Sequence, residues 1–177
     1  ALITPSHYWA FSQENPNRII EPENDPMRFG RLAHSLVLEG EESFKKDFIM
    51  LPDGLDRRTK EGKAIYESVM VAAVGKTVVK SEWVNQVRDM RKAIEKHFVW
   101  KYLQEGVSEG SHFWKDGDMD FKARLDWIKS TEYGDIIVDY KTTTCAASHA
   151  FSRQIANLGY NVQAAHYNAG FLSAFGK

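Results

Sequence analysis

The hydrophobic pattern of this chain changes period along its length, and each change predicts an element. Thr4-Pro5-Ser6 predicts a helix start, with a capping hydroxyl and a proline in the first turn, and His7, Tyr8, Trp9 and Phe11 follow on it. Asn15 to Pro26 holds three of the five prolines and reads as a loop. From Asp25 or Pro26 to about Leu38, the apolar positions Phe29, Leu32, Ala33, Leu36 and Val37 recur at helical spacing. His34 lies beside that stripe, one turn after Gly30. Leu51 to Gly54 is a turn, Asp56 to Lys60 a charged run, and Ala64 to Val74 a short helix ended by Gly75. Thr77-Val78-Val79 is a brief extended piece. Ser81 then caps a long helix with Trp83, Val87, Met90, Ile94 and Phe98 on one stripe, which ends by Gly106.

Beyond Gly106 the period falls to two. Val107 to Trp114 predicts a first strand, carrying Glu109, and Lys115 to Asp118 a turn. Phe121 to Lys129 and Asp135 to Thr142 predict two more strands, joined by the polar, glycine-containing turn Ser130–Gly134. Alternation sets Lys122, Arg124 and Asp126 on one face and Ala123, Leu125 and Trp127 on the other. On the last strand Ile137, Asp139 and Lys141 share a face opposite Val138 and Tyr140. Facing residues of an antiparallel hairpin are equidistant from its turn. The midpoint of Asp126 and Asp139 falls between Glu132 and Tyr133, inside that turn, so the two acids should face each other. Ser148 to Asn157 predicts a helix broken at Gly159, and Asn161 to Ala174 a last helix with Gln163 and Tyr167 on one face. The order predicts a mixed α/β or α+β domain, a small central mixed β-sheet flanked by helices.

Two facing carboxylates beside an apolar sheet repel unless a cation sits between them. Lys141 offers one charge; a divalent metal offers two and takes oxygen ligands. Asp126 and Asp139 are therefore the candidate metal ligands, with the Tyr140 backbone carbonyl as a third oxygen and Lys141 as the catalytic cation. Glu109 is either a further metal acid or an exposed strand acid. The hydroxyls of Thr142 and Thr143 either bond a backbone phosphate or cap the helix that comes after them.

These residues resemble a known family. Asp126 followed by Asp139-Tyr140-Lys141 is similar to the D…(D/E)xK core of the PD-(D/E)xK nucleases, and LDWI…IIVDYKT resembles the exonuclease branch of RecB, lambda exonuclease and exonuclease VIII (RecE). Gly30-Arg31-Leu32-Ala33-His34 is similar to the GxxxH helix of that branch, and Gln163-Ala164-Ala165-His166-Tyr167 to its QxxxY helix. The resemblance implies a restriction-endonuclease-like core and a magnesium-dependent exodeoxyribonuclease, with manganese accepted. It implies that Gln163 and Tyr167 line the catalytic cleft. It makes His34 a ligand, or else a residue that orients one. Arg31, Arg28 and Arg124 become candidate DNA contacts, with Arg31 on the 5′-terminal phosphate. It further implies 5′-to-3′ digestion of duplex DNA ends in recombination, a ring-shaped trimer or tetramer, and a single-strand annealing partner of the RecT/beta type. Two other readings share the residues: a catalytically silent DNA-binding or scaffold module, and a metal-dependent hydrolase of another substrate.

Composition narrows this further. The 177 residues suffice for one domain with a real core, read as helices over 1–106 and the catalytic sheet with its last helices over 107–177. The start at Ala1 without methionine suits a piece of a longer chain. A net charge of −1 means that any DNA contact comes from a local basic face. The single cysteine, Cys145, excludes an intramolecular disulfide and a four-cysteine iron–sulfur cluster and fits a reducing cytoplasm, while the resemblance implies a bacterial or phage-encoded protein. No apolar run reaches the length of a membrane span.

Overall fold

The hydroxyl of Thr4 accepts the His7 N–H and opens α1 (Pro5–Phe11), as the Thr-Pro-Ser pattern predicts. The computed structural model describes residues 4–176. After the proline-rich loop, Asn24 caps α2 (Asp25–His34) by accepting the Met27 N–H. The predicted helix to Leu38 is α-helical only to His34, and Ser35–Glu39 continues it as a π turn. Such turns recur at functional sites because they reset the face that a helix presents. Leu32, Ala33, Leu36 and Val37 are almost wholly buried, with Val84 and Val87 of α5 (Ser81–Glu95) in the same cluster. Full burial of each branched side chain is worth about 1.5–3 kcal/mol, so this stripe anchors α2.

Two short elements between them have no counterpart in the predicted order: α3 (Glu41–Asp47) and β1 (Phe48–Met50). β1 pairs in parallel with β2 (Thr77–Val79), and α4 (Lys60–Ala72) lies between them in the chain. The Thr59 hydroxyl caps α4 through the Gly62 N–H, so that helix starts at Lys60 rather than Ala64. α5 ends at Glu95, well before Gly106, and a 3₁₀ turn over Phe98–Tyr102 follows. Phe98 is consequently 73% exposed and does not belong to the α5 stripe. Ser81 is the first residue inside α5, while Lys80 occupies the cap without a side-chain bond.

The central sheet has β3 (Val107–Asp116), β4 (Met119–Thr131) and β5 (Gly134–Val138), in that order and antiparallel. Parallel and antiparallel pairings therefore occupy two separate small sheets among the described residues. The β4–β5 register pairs Trp127 with Val138, Ile128 with Ile137 and Thr131 with Gly134, centred between Glu132 and Tyr133 as predicted. Ala123, Leu125 and Trp127 are the buried face of β4. α6 (Ser148–Leu158) and α7 (Tyr160–Phe175) meet at Gly159, whose φ of 70° is the left-handed region that suits glycine. α7 packs on β3 and β4 at Gly170. A Cβ there would lie 2.5 Å from the Trp114 ring, so only glycine allows the approach. Among the described residues no helix is long and apolar enough to cross a membrane.

α3 is tied to α5 by one forked ion pair, Glu41 to Arg88, at 2.8 and 2.9 Å. The Arg88 hydrogen bond holds the Glu41 carboxyl below its ordinary pKa against the opposing effect of burial. A lowered carboxyl pKa stabilises the fold above the ordinary glutamate range, and that contribution is lost as pH falls through the lowered value. Because both side chains are partly exposed, the pair is worth no more than about 1 kcal/mol. Glu41→Gln should lower the melting temperature slightly at neutral pH and match the wild type in acid. A deficit unchanged across that range would assign the effect to packing.

Candidate metal centre

Register brings the acids together. Ser108 pairs with Trp127 and Gly110 with Leu125, so Glu109 on β3 stands opposite Asp126 on β4. Continued past Val138, the β4–β5 register sets Asp139 opposite Asp126 from the other side. Glu109 and Asp126 thus stand side by side on β3 and β4, and Asp139 is the first residue after β5, in line with them. β5 stops short of the predicted Thr142 because the Tyr140 N–H leaves the ladder and donates to the Asp126 carboxylate, Oδ2, at 2.8 Å. α2 brings His34 to the same row. Its Nδ1 lies 3.6 Å from Asp126 Oδ2, and its ring stands edge-on to Tyr140 at 5.5 Å.

A separation of 3.6 Å is too long for a direct hydrogen bond. His34, Glu109 and Asp126 each present one ligand atom, and the three lie within 4.8 Å of one another. Opposite ligands of a divalent ion with bonds of about 2.1–2.2 Å are themselves roughly 4.3 Å apart, so one ion fits among these atoms. Two carboxylates and an imidazole suit manganese readily and magnesium acceptably. Glu109 has φ of 55°, a left-handed conformation that costs a non-glycine residue on the order of 1 kcal/mol. That strain falls on the residue whose carboxylate completes the group.

Asp139 is engaged differently. Lys141 Nζ donates to its Oδ1 at 2.8 Å, and Asp139 lies outside the His34–Glu109–Asp126 group. Burial pushes the Asp126 carboxyl above its ordinary pKa and the Asp139 charge adds to this, while His34, the Tyr140 N–H and Lys141 oppose it. For Lys141 burial favours the neutral amine, but the Asp139 hydrogen bond and the charges of Asp139 and Asp126 outweigh it. Its pKa is raised, and Lys141 is held as the ammonium. That ammonium lies 5.2 Å from the centre of the Tyr160 ring on α7. On the next turns Gln163 donates to the Tyr167 hydroxyl at 2.7 Å. Burial raises the Tyr167 pKa, the Gln163 bond lowers it, and the Asp139 and Asp126 charges raise it further, so α7 stands within electrostatic reach of the acids.

The expected DNA contacts separate into three places. Arg31 and Arg124 line a cleft of about 370 Å³ together with His34 and Glu109. Within it Arg124 pairs with Glu109, and Arg31 bonds Glu23 at 3.0 Å and the Thr77 hydroxyl at 2.5 Å. Arg28 is bound to Asp25 in the first turn of α2, at 3.3 Å, and to the Glu23 carbonyl of the preceding loop, at 3.1 Å. Thr142 and Thr143 line a second cleft, on the Phe29 flank of α2. Tyr140 touches the acid row through its N–H. Glu109 offers one of the three grouped ligand atoms and is also paired with Arg124. The midpoint of Glu109 and Asp126 falls inside the Lys115–Asp118 turn, the same signal that aligned the other hairpin.

A family model described as a PDDEXK-like domain of unknown function (DUF3799) matches residues 2–177. No curated protein and no solved structure matches the chain significantly. The family match spans every described residue, and the mixed α/β architecture with its acid row fits a restriction-endonuclease-like core. Sequence family and fold thus agree, and the chain belongs to the PDDEXK-like domain family DUF3799, within the PD-(D/E)xK nuclease superfamily.

Proposed function

We propose that this domain is a divalent-metal-dependent deoxyribonuclease that hydrolyses phosphodiester bonds at the ends of linear duplex DNA. One observation carries the reading: His34, Glu109 and Asp126 converge within 4.8 Å beside an Asp139–Lys141 pair. A bound divalent ion would supply a water of lowered pKa and polarise the phosphate. His34, Glu109 and Asp126 are the residues to hold it, with Asp139 and the Tyr140 carbonyl adjoining. Lys141, as an ammonium, offsets the negative charge that grows on the phosphate in the transition state. Gln163 and Tyr167 wall the cleft from α7. Arg31, whose planar fork suits a terminal phosphate, is the candidate for the 5′ end, with Arg124 beside it.

Magnesium as the physiological ion, 5′-to-3′ polarity, a trimeric or tetrameric ring, a single-strand annealing partner and a bacterial or phage cytoplasm all derive from the resemblance to exonuclease VIII and lambda exonuclease. Incubating the purified protein with linear and circular duplex DNA, with magnesium, with manganese and with a chelator, tests the activity. Cleavage of linear duplex in either metal supports the proposal, and intact DNA in every condition overturns it. His34→Ala should then lower metal affinity by at least about 10-fold, the lower bound for losing even a supporting partner of a ligand. Its loss of activity should be larger with manganese than with magnesium. Equal losses would mean that His34 does not ligate.

A further inference from the structure

We infer that the second cleft, on the Phe29 flank of α2, is a nucleobase-binding subsite in which one base of the DNA strand stacks against Trp83. The inference rests on the nuclease reading and extends it to substrate positioning. α2 separates the two clefts. Arg31 and His34 face the first, of about 370 Å³, while Asp25, Pro26 and Phe29 face the second, of about 490 Å³. α2 touches the segment after the catalytic lysine at Gly30, where a Cβ would lie 3.7 Å from the Thr142 hydroxyl. Thr142, Thr143 and Thr144 form one wall of the second cleft and come directly after Lys141. A strand whose phosphate lies at Lys141 therefore places a neighbouring nucleotide against this wall.

The lining favours a base over a phosphate. Among the described residues Asp25 is the one charged group lining the cleft, and it is already paired with Arg28 at 3.3 Å and Lys80 at 3.6 Å. Phe29 meets Trp83 edge-on, with ring centres 5.9 Å apart, and the Lys80 ammonium lies over one face of the indole at 4.8 Å, so a base would stack on the opposite face. Gln86 and Gln154 bring amides, each able to donate to and accept from a base edge. The Thr143 hydroxyl is taken up by the Cys145 backbone, at 3.2 Å in each direction, and the Thr142 and Thr144 hydroxyls suit the adjoining phosphate. An aromatic ring, neutral amides and flanking hydroxyls form the kind of surface that stacks a base without strong sequence preference.

The test uses the whole domain in chelator, so that nothing is cleaved, and reads binding by fluorescence anisotropy. The probes are a short labelled thymidine oligonucleotide and the same oligonucleotide made fully abasic. The wild type should bind the thymidine probe about 5- to 100-fold more tightly than the abasic one. Trp83→Phe should keep most of that ratio, and Trp83→Leu should reduce it to near one while still melting in one cooperative transition. Thr142→Val should weaken both probes without changing the ratio. Equal wild-type affinity for the two probes, or an unchanged ratio in Trp83→Leu, overturns the subsite. Should Trp83→Leu fail to fold, Gln154→Leu replaces it, and an unchanged ratio there has the same consequence. Because the cleavage assay is independent, a wild type that cuts DNA but ignores the bases sinks this inference alone.

Discussion

Asp126→Ala is expected to abolish DNA cleavage, by more than about 10³-fold, beyond the loss from removing one transition-state hydrogen-bond donor. Asp126 is the centre of the acid row. It stands opposite Glu109, feels the charge of Asp139, accepts the Tyr140 N–H, and lies nearest His34. No other side chain in the row could replace it. The same position should show a stability effect of opposite sign in metal-free protein. Burial, with Asp139 beside it, raises the Asp126 pKa, so folding disfavours its charged form. That penalty is full above the raised value and disappears below the ordinary aspartate range. Asp126→Asn keeps the shape and an acceptor for the Tyr140 N–H. It should melt higher than the wild type at neutral pH in chelator, with the difference closing in acid. Full cleavage activity in the alanine variant, with an unchanged circular dichroism spectrum, would remove the proposed centre.

Lys141→Met should lower turnover by about 10²–10³-fold while metal still binds. Methionine keeps most of the stem's length but loses the charge, and with it the ammonium's place over the Tyr160 ring. In the wild type the ammonium bonds Asp139 at 2.8 Å and is held protonated by the acids around it. A residue in that state stabilises charge that develops on a phosphate and does not act as the resting base. Isothermal calorimetry with manganese separates the roles. Retained affinity with collapsed turnover supports a catalytic cation, whereas lost affinity would make Lys141 a structural support for Asp139. Removing Lys141 also leaves Asp139 without its partner, so some stabilisation of metal binding by the freed carboxylate is consistent with the same role.

Local periodicity was enough to show much of this chain. Alternation along β4 set Ala123, Leu125 and Trp127 inward, and the midpoint rule aligned Asp126 with Asp139, because a hairpin's register depends on its own turn. The α2 stripe and the break at Gly159 were legible for the same reason: each depends on residues within one or two turns. What the residues alone left open was decided across long separations. The parallel β1–β2 pairing joins Phe48 to Thr77, and the three-residue strands carry too little pattern to announce a partner that far away. The ending of β5 depends on a side chain from another strand, since Asp126 takes the Tyr140 N–H. Glu109 was legible only as either a further metal acid or an exposed strand acid, and tertiary structure sets its carboxylate within 4.8 Å of ligand atoms of His34 and Asp126, while Asp139 bonds Lys141 instead. The arginines show the same limit. Arg31 and Arg28 are three residues apart on one helix and both bond Glu23, yet only Arg31 also reaches Thr77 and lines the cleft, because Thr77 is brought there by tertiary packing rather than by spacing.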